Sequence, residues 1–321
     1  NNMYTFNQMN SFGKCGMGNE LVYNFGYALV EYISENYGDS TLKNISLSMS
    51  KPFNYSINRA IKKSIGITGE ELYLQWRGSL ERHYNTQVSE INDLENYIIL
   101  EDEGITNVNP RWSPNNEMIA YLSDKDNDYF GRTDLFIYNL SDSSHKKIKG
   151  GVRSIPAWIN DSLIVYTKLS KPDKNGSKYF DLYRYTFNDE EEQRLTHNSR
   201  LISPVYQNNL NKIAAITSYD GTSNIMITTE LDLEKEGIEF QPITHLDNGM
   251  QMLSLSWIED KLFVDAVYHQ GRQIYKVVIK TGELVPVITT RWDNRDQFNS
   301  SAGIIYAKDQ SGIFNLVIQN D

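Results

Sequence analysis

The last two thirds of the chain repeat themselves, and the period of the repeat limits the fold more than any other feature. Pro110-Arg111-Trp112 recurs as Pro156-Ala157-Trp158 and Pro204-Val205-Tyr206, and more loosely as Leu255-Ser256-Trp257 and Asp296-Gln297-Phe298. The five aromatics are spaced by 46, 48, 51 and 41 residues. A polar turn follows each one (SPNNE, INDS, QNNLN, IED, NSSAG), then an apolar run (MIAYLS, LIVYTK, KIAAIT, KLFVDA, IIYAKD). A third run comes next: DLFIYNL, DLYRYTF, NIMITTE, QIYKVVI and NLVIQND. A short fourth run, KKIK, QRLT, QPIT or VPVIT, closes the first four copies. Four short strands in each unit of roughly 40–50 residues are the pattern of a β-propeller blade. One such sheet cannot bury both of its faces alone, so blades stack radially and each covers its neighbour. The spacing therefore predicts a five-bladed propeller in which Trp112 and its counterparts pack between blades.

The fifth copy stops after its third strand, at Asp321. A β-type run at 96–101, NYIILE, precedes the first blade and is positioned to supply the missing outer strand as an N-terminal latch. The other expectation is a propeller whose further blades follow residue 321. The last strand ending flush with the sequence favours it.

Residues 19 to about 92 carry a helical period instead. Leu21, Val22, Phe25, Leu29, Tyr32 and Ile33 recur at spacings of three and four. Gly38 suits a helix C-terminus. A second helix is expected from Ser40 to near Lys51-Pro52, and a third from Phe53 to near Gly66. Thr68 and Glu71 have capping-box spacing for a fourth helix, with Leu72, Trp76 and Leu80 on its inner side. The polar stretch at 85–90 reads as a linker. The expected organisation is a helical domain at 1–92 and a propeller at 96–321, a mainly β chain with an α-helical N-terminal domain.

Composition narrows the function classes. The chain of 321 residues carries a formal net charge of -10, which disfavours nucleic acid and anionic membrane as partners. No apolar run reaches the roughly 18 residues needed to span a bilayer, so no transmembrane segment is expected. The lone Cys15 cannot form an intramolecular disulfide.

The repeat resembles the TolB-like propeller family, in which NPRWSPNNEMIAYLS, DLFIYNL and QRLT stand for successive strands of a blade. It differs from WD-repeat propellers, having neither Gly-His before the blade nor Trp-Asp at its end. The TolB-like resemblance covers 96–321 and implies a propeller, usually of six blades, in a periplasmic or exported protein that binds proteins or peptides. A second resemblance is carried by Tyr23, Gly26, Tyr27, Val30, Tyr32-Ile33, Tyr37-Gly38, Gly66-Ile67-Thr68 and Trp76. These look like the helical tail of gluzincin-type metallopeptidases, whose HExxH helix is not among these residues.

The individual site candidates are few. The five histidines form no HExxH and no close pair; His197 and His245 follow Thr196 and Thr244 at equivalent blade positions and read as repeat-level structure. Asp124, Asp126 and Asp128 have the alternate spacing of an oxygen-ligand loop, but Tyr129 stands where the sharp-turn glycine belongs and no Glu closes the loop. The glycine-rich stretch at 13–18 lacks the phosphate-loop lysine pattern, and no G-x-S-x-G is present. Glu190, Glu191 and Glu192 read as an exposed acidic loop. Arg111, Arg153 and Arg200 lie at or before inner strands, where a propeller's channel rim usually binds. The expectation is a non-catalytic protein- or peptide-binding module without a cofactor. The alternatives are the C-terminal part of a secreted zinc metallopeptidase, whose propeller limits substrate access, and a structural subunit of a surface assembly.

Overall fold

The computed structural model describes residues 3, 5–10, 16–89, 98–127, 131–219, 221–269, 271–300 and 302–319. The chain divides into two compact units, Asn1–Tyr97 and Ile98–Asp321.

The first unit is helical: α1 Gly16–Tyr37, α2 Ser40–Met49, α3 Ile57–Ile65 and α4 Gly69–Ser89. Leu29 and Ile33 of α1 bury against Ile45, Ala60, Ile61, Leu72, Tyr73 and Trp76, with Phe25 and Tyr32 at the edge. This is the expected apolar stripe. The capping box forms in full. Glu71 N donates to Thr68 Oγ1 at 3.1 Å and Thr68 N donates to Glu71 Oε2 at 2.7 Å. Gly66 ends α3 at φ +86°, with its N–H on the Lys62 carbonyl.

Two boundaries differ from expectation. The third helix starts at Ile57 rather than Phe53, because the Ser56 side chain caps it by accepting from Arg59 N, while Phe53 sits at φ +62° in the preceding turn. The stretch at 85–89 is not a linker but the last turn of α4, where Thr86 Oγ1 bonds back to the Arg82 carbonyl. Glu90 lies outside the described residues.

The second unit is a five-bladed propeller of antiparallel sheets. Blade 1 is β1 Asn107–Trp112, β2 Met118–Ser123, β3 Asp134–Asn139 and β4 Ser144–Lys149. Blade 2 is β5 Ala157–Asn160, β6 Leu163–Leu169, β7 Phe180–Thr186 and β8 Glu191–Arg194. Blade 3 is β9 Leu201–Gln207, β10 Lys212–Tyr219, β11 Thr222–Thr228 and β12 Phe240–Pro242. Blade 4 is β13 Gln251–Ile258, β14 Lys261–Val267, β15 Arg272–Val278 and β16 Glu283–Ile288. Blade 5 has three strands: β17 Asn294–Ser300, β18 Gly303–Lys308 and β19 Asn315–Gln319.

The second and third strands make most of each inter-blade core, joined by inner-strand residues such as Leu201 and Leu255. Ala120, Leu122, Leu135 and Ile137 of blade 1 pack on Ile164, Tyr166, Tyr183 and Tyr185 of blade 2. Val165 and Leu182 of blade 2 meet Leu201, Ile213 and Ala215 of blade 3. Ala214, Ile216 and Ile225 of blade 3 meet Leu255, Leu262, Val264 and Val277 of blade 4. Phe263 and Ile274 of blade 4 meet Ile304 and Tyr306 of blade 5. Among the described residues, apolar cores join successive blades only. The other face of blade 1 carries its own cluster of Ile119, Tyr121, Phe136 and Tyr138.

The expected latch is not formed by the described part of 96–101. Residues 98–101 form no strand, and β19 has no partner on its outer side among the described residues. Leu100 and Glu101 instead lie over the outer face of blade 1, lining a small cavity with Ile119, Tyr121, Tyr138 and His145. The reason is electrostatic. Glu101 accepts from Tyr121 Oη at 2.5 Å and from Lys125 Nζ. Burial works to raise the Glu101 carboxyl, but the hydrogen bonds from Lys125 and Tyr121 hold it below the usual range.

One polar position recurs in the four-stranded blades. The residue that opens each third run accepts a backbone N–H from the connection beyond the fourth strand. Asp134 takes Gly151 N at 2.8 Å and Asp181 takes Ser199 N at 2.9 Å. Asn224 takes Leu246 N at 2.7 Å and Gln273 takes Thr290 N at 2.9 Å. The side chain thereby pins the segment that carries the chain to the next blade. Thr196 and Thr244, rather than the exposed His197 and His245, are the structural residues beside it: their hydroxyls accept from Leu182 N and Ile225 N.

Candidate functional site: an axial channel in two halves

The inner strands β1, β5, β9, β13 and β17 surround the axis, and along it they line two cavities. Bulges shape the first. β1, β9, β13 and β17 each slip register once, and Asn109, Ser203 and Asp296 at these slips have positive φ. Such a kink re-aims a side chain out of the sheet. Asn109, Ser203 and Asp296 join Ser154, Ser254 and Arg272 around a polar cavity of about 300 Å³.

A buried charge network supports this half. Asp265, fully buried, accepts from Ser254 N, Ser254 Oγ, Asp296 N and Arg272 Nη2, each at 2.8 Å. Burial pushes its carboxyl up, and Arg272 pulls against that. The network ties the inner strand of blade 5 to blade 4.

The second cavity, about 260 Å³, is lined by Trp112, Trp158, Tyr206, Trp257 and Phe298, one aromatic from each blade. Here the expectation for Trp112 is overturned. It is 52% exposed and does not pack between blades. Its counterparts Trp158, Tyr206 and Trp257 do pack against the inter-blade cores, as expected, while also lining this cavity; Phe298, like Trp112, is more than half exposed. Trp158 is fixed by its Nε1, which donates to the Arg111 carbonyl at 3.0 Å, and by stacking on Phe187. Ser256 Oγ, Trp257 Nε1 and both amide atoms of Gln297 are buried without a hydrogen-bond partner among the described residues.

The three arginines do not converge. Arg111 lines the aromatic half; burial lowers its affinity for the proton and the nearby Asp296 opposes that. Arg153 is exposed at the polar half. Arg200 lines neither cavity. It has φ +54°, and its guanidinium lies 5.4 Å from the Tyr179 ring and 5.0 Å from Tyr219.

The aspartate triplet is not gathered either. Asp124 Oδ1 accepts from Ile105 N and Thr106 N, both at 2.9 Å, and backbone donation from Thr106 holds its carboxyl below the usual range. Asp126 is exposed, and Asp128 lies outside the described residues. Among the described residues no group of three or more metal-ligating side chains is assembled.

Glu192 corrects the reading of the acidic run. β8 starts two residues earlier than the QRLT pattern suggests, so Glu192 points inward. It accepts from Tyr166 Oη at 2.5 Å and from Lys168 Nζ at 2.6 and 2.7 Å. The channel aromatics, Ser256 and Gln297 were not read as a site from sequence. The signal was present: one aromatic per repeat at one register position on the strand nearest the axis.

No protein family's sequence profile matches the chain, and no curated protein does. Solved structures similar to it include TolB from Acinetobacter baumannii, at 15% identity and TM-score 0.46, over 66% of this chain and 53% of that one. The putative TolB from Agrobacterium tumefaciens matches at 17% identity and TM-score 0.44, over 58% and 67% of the two chains. The β-propeller domain of the Trilobed protease from Pyrococcus furiosus matches at 14% identity and TM-score 0.47, over 66% and 64%. The chain thus spans about half the length of the Acinetobacter protein. The propeller itself is established by its strand order and inter-blade cores.

Proposed function

We propose that this chain is a non-catalytic protein- or peptide-binding module, a helical domain at 1–92 followed by a propeller at 96–321, and that a partner segment engages the axial channel. One observation carries the reading: five blades deliver five aromatics from the same repeat position to a single cavity. Aromatics kept only for packing would be buried, yet Trp112 and Phe298 are more than half exposed. Large amphipathic rings gathered in a concave site are the usual anchors of recognition. Arg111 and Arg153 add positive charge along the channel, and Arg200 is proposed as a contact on its rim.

The resemblance of the repeat to TolB-like propellers supports a periplasmic or extracellular location. No helix among the described residues is long and apolar enough to cross a membrane. Peptide display selected on the whole chain tests the binding reading. Selected peptides are expected to lose affinity for a Trp112→Ala, Phe298→Ala double variant. Peptides that bind it as tightly as the original chain would place the site elsewhere and overturn the proposal.

A further inference from the structure

Charge is unevenly placed along the chain. Of its 31 basic residues five fall between Ser40 and Gly69, and of its 41 acidic residues none. Lys43 lies on α2, Arg59, Lys62 and Lys63 lie on α3, and Lys51 lies in the turn between the two helices. All five are exposed, and no ion pair reaches any of them among the described residues. The nearest acids in sequence are Asp39 before the stretch and Glu70 and Glu71 after it, and Glu71 is held by Thr68 in the capping box. A net charge of -10 weighs against an anionic partner only where charge is spread evenly, and here a local field has the opposite sign.

The turn adds apolar groups to this basic stretch. Asn54 N donates to the Lys51 carbonyl at 3.2 Å, so Pro52 and Phe53 occupy the two central positions. Phe53 has φ +62°, a value that the third position of a turn favours in glycine or asparagine and that a bulky side chain rarely adopts. Asn54 anchors the turn inward: its Nδ2 donates to the Ser48 carbonyl at 2.7 Å and to Ser48 Oγ at 3.1 Å. Phe53 and Tyr55 flank it and are each 85% exposed. Leu47, one helical turn from Lys43 on α2, is 52% exposed. Phe53 thus gains almost no packing from a strained backbone, and such a residue points to a use outside the chain.

Aromatic rings beside lysine and arginine are the combination that seats a protein on a bilayer. The cations collect at anionic headgroups, and the rings settle at the boundary between headgroup and acyl chain. Rings that project from a turn suit a surface that deforms around them, whereas a folded partner would have to supply a matching pocket. We infer that the α2–α3 turn docks the helical unit on an anionic phospholipid membrane. Phe53 and Tyr55 enter the interface. Lys51 and Arg59 meet headgroup phosphates, and Lys43, Lys62 and Lys63 add attraction. The contact is peripheral, needs no membrane-spanning helix, and is independent of the channel reading.

The test co-sediments the whole chain with vesicles of phosphatidylcholine, alone or mixed equally with phosphatidylglycerol. Binding to the mixed vesicles is expected to be about tenfold or more tighter, since each cation near an anionic surface adds about fivefold. It should fall steeply at about 0.5 M salt, where the field is screened. Phe53→Gly combined with Tyr55→Ser should weaken binding about tenfold or more. The same variant should keep the parent circular dichroism and a thermal midpoint at or above the parent's, because glycine accepts the positive φ without strain. Lys51→Gln combined with Arg59→Gln should weaken binding about tenfold or more and flatten its salt dependence. Equal binding to both vesicle types, or binding to neither, overturns the inference. So does binding left unchanged in either double variant. If soluble polyglutamate captures the chain as tightly as the vesicles do, and the Phe53, Tyr55 variant binds both like the parent, the patch takes acidic polymers and the membrane reading falls.

Discussion

Replacing Asp181 by alanine probes the polar clamp that holds one blade to the next. Asp181 is fully buried and accepts from Arg194 Nη2 at 2.5 Å, Ser199 N at 2.9 Å, Ser199 Oγ at 3.0 Å and Thr196 Oγ1 at 3.3 Å. The substitution strands the Ser199 N–H and strips Arg194 of its carboxylate. An unpaired part-buried backbone donor costs about 1–3 kcal/mol. Arg194 keeps some solvent, so its loss falls below the ~3–5 kcal/mol of a fully buried broken pair. The Thr196 hydroxyl still has its bond with Leu182 N. Together these give a loss of about 3–4 kcal/mol. Asp181→Asn should cost less, about 1–2 kcal/mol, since Asn224 performs the same task in blade 3 with an amide oxygen. Urea titration followed by far-ultraviolet circular dichroism measures both. An Asp181→Ala midpoint within error of the parent, or an Asn variant as damaged as the Ala variant, would refute the clamp.

The remaining expectations test other links. Trp112→Ala should cost under about 1 kcal/mol because the ring is half in solvent, whereas Trp76→Ala, at 1% exposure in the helical unit, should cost about 3–5 kcal/mol. Parallel urea curves compare them, and a large loss from Trp112→Ala would return that ring to the core. Glu101 and Asp134 have folded pKa values held below their ordinary 4.5 and 3.8. A depressed carboxyl stabilises above its unfolded pKa and loses that contribution as pH falls through the folded one. The contribution of Glu101 and Asp134 to the thermal midpoint should thus be complete above about pH 5 and fall below about pH 4.5, while Asp265, raised by burial, contributes in the opposite sense. Glu101→Gln should shrink that acid dependence; a variant whose midpoint tracks the parent across the whole range would show that Glu101 does not contribute. Gly282→Ala should destabilise by about 2 kcal/mol or more, because φ is +73° and a Cβ would run into the Ile243 carbonyl. A thermal melt measures it, and a neutral result would mean the β15–β16 turn relaxes freely.

The repeat made the blades legible because strand, turn and period were all local. MIAYLS became β2 and DLFIYN became β3 without adjustment. What escaped depended on the third dimension. The period located one aromatic in each unit but could not say how far each would be covered: Trp158, Tyr206 and Trp257 pack against the inter-blade cores, whereas Trp112 and Phe298 are left more than half in solvent. Glu192 looked like part of a charge run, but β8 begins at Glu191, so Glu192 belongs to the strand and its carboxylate meets Tyr166 and Lys168. The latch at 96–101 had strand composition, yet Glu101 found Lys125 and Tyr121 within blade 1, a choice composition cannot express. Gln297 was invisible in principle, because an unpartnered amide is defined by what surrounds it.

The inter-blade cores also bear on cooperativity. Each described core links a blade only to the next in sequence, so the propeller behaves energetically as a line of coupled units with two ends. In such an array the end units have one stabilising neighbour and the middle ones have two. Amide exchange should therefore follow a gradient, slowest in β10 and β14 near the middle and fastest in β18 and β19. A partner gripping all five inner strands would convert that line into a cooperative whole, so occupancy of the channel would register as protection at the ends.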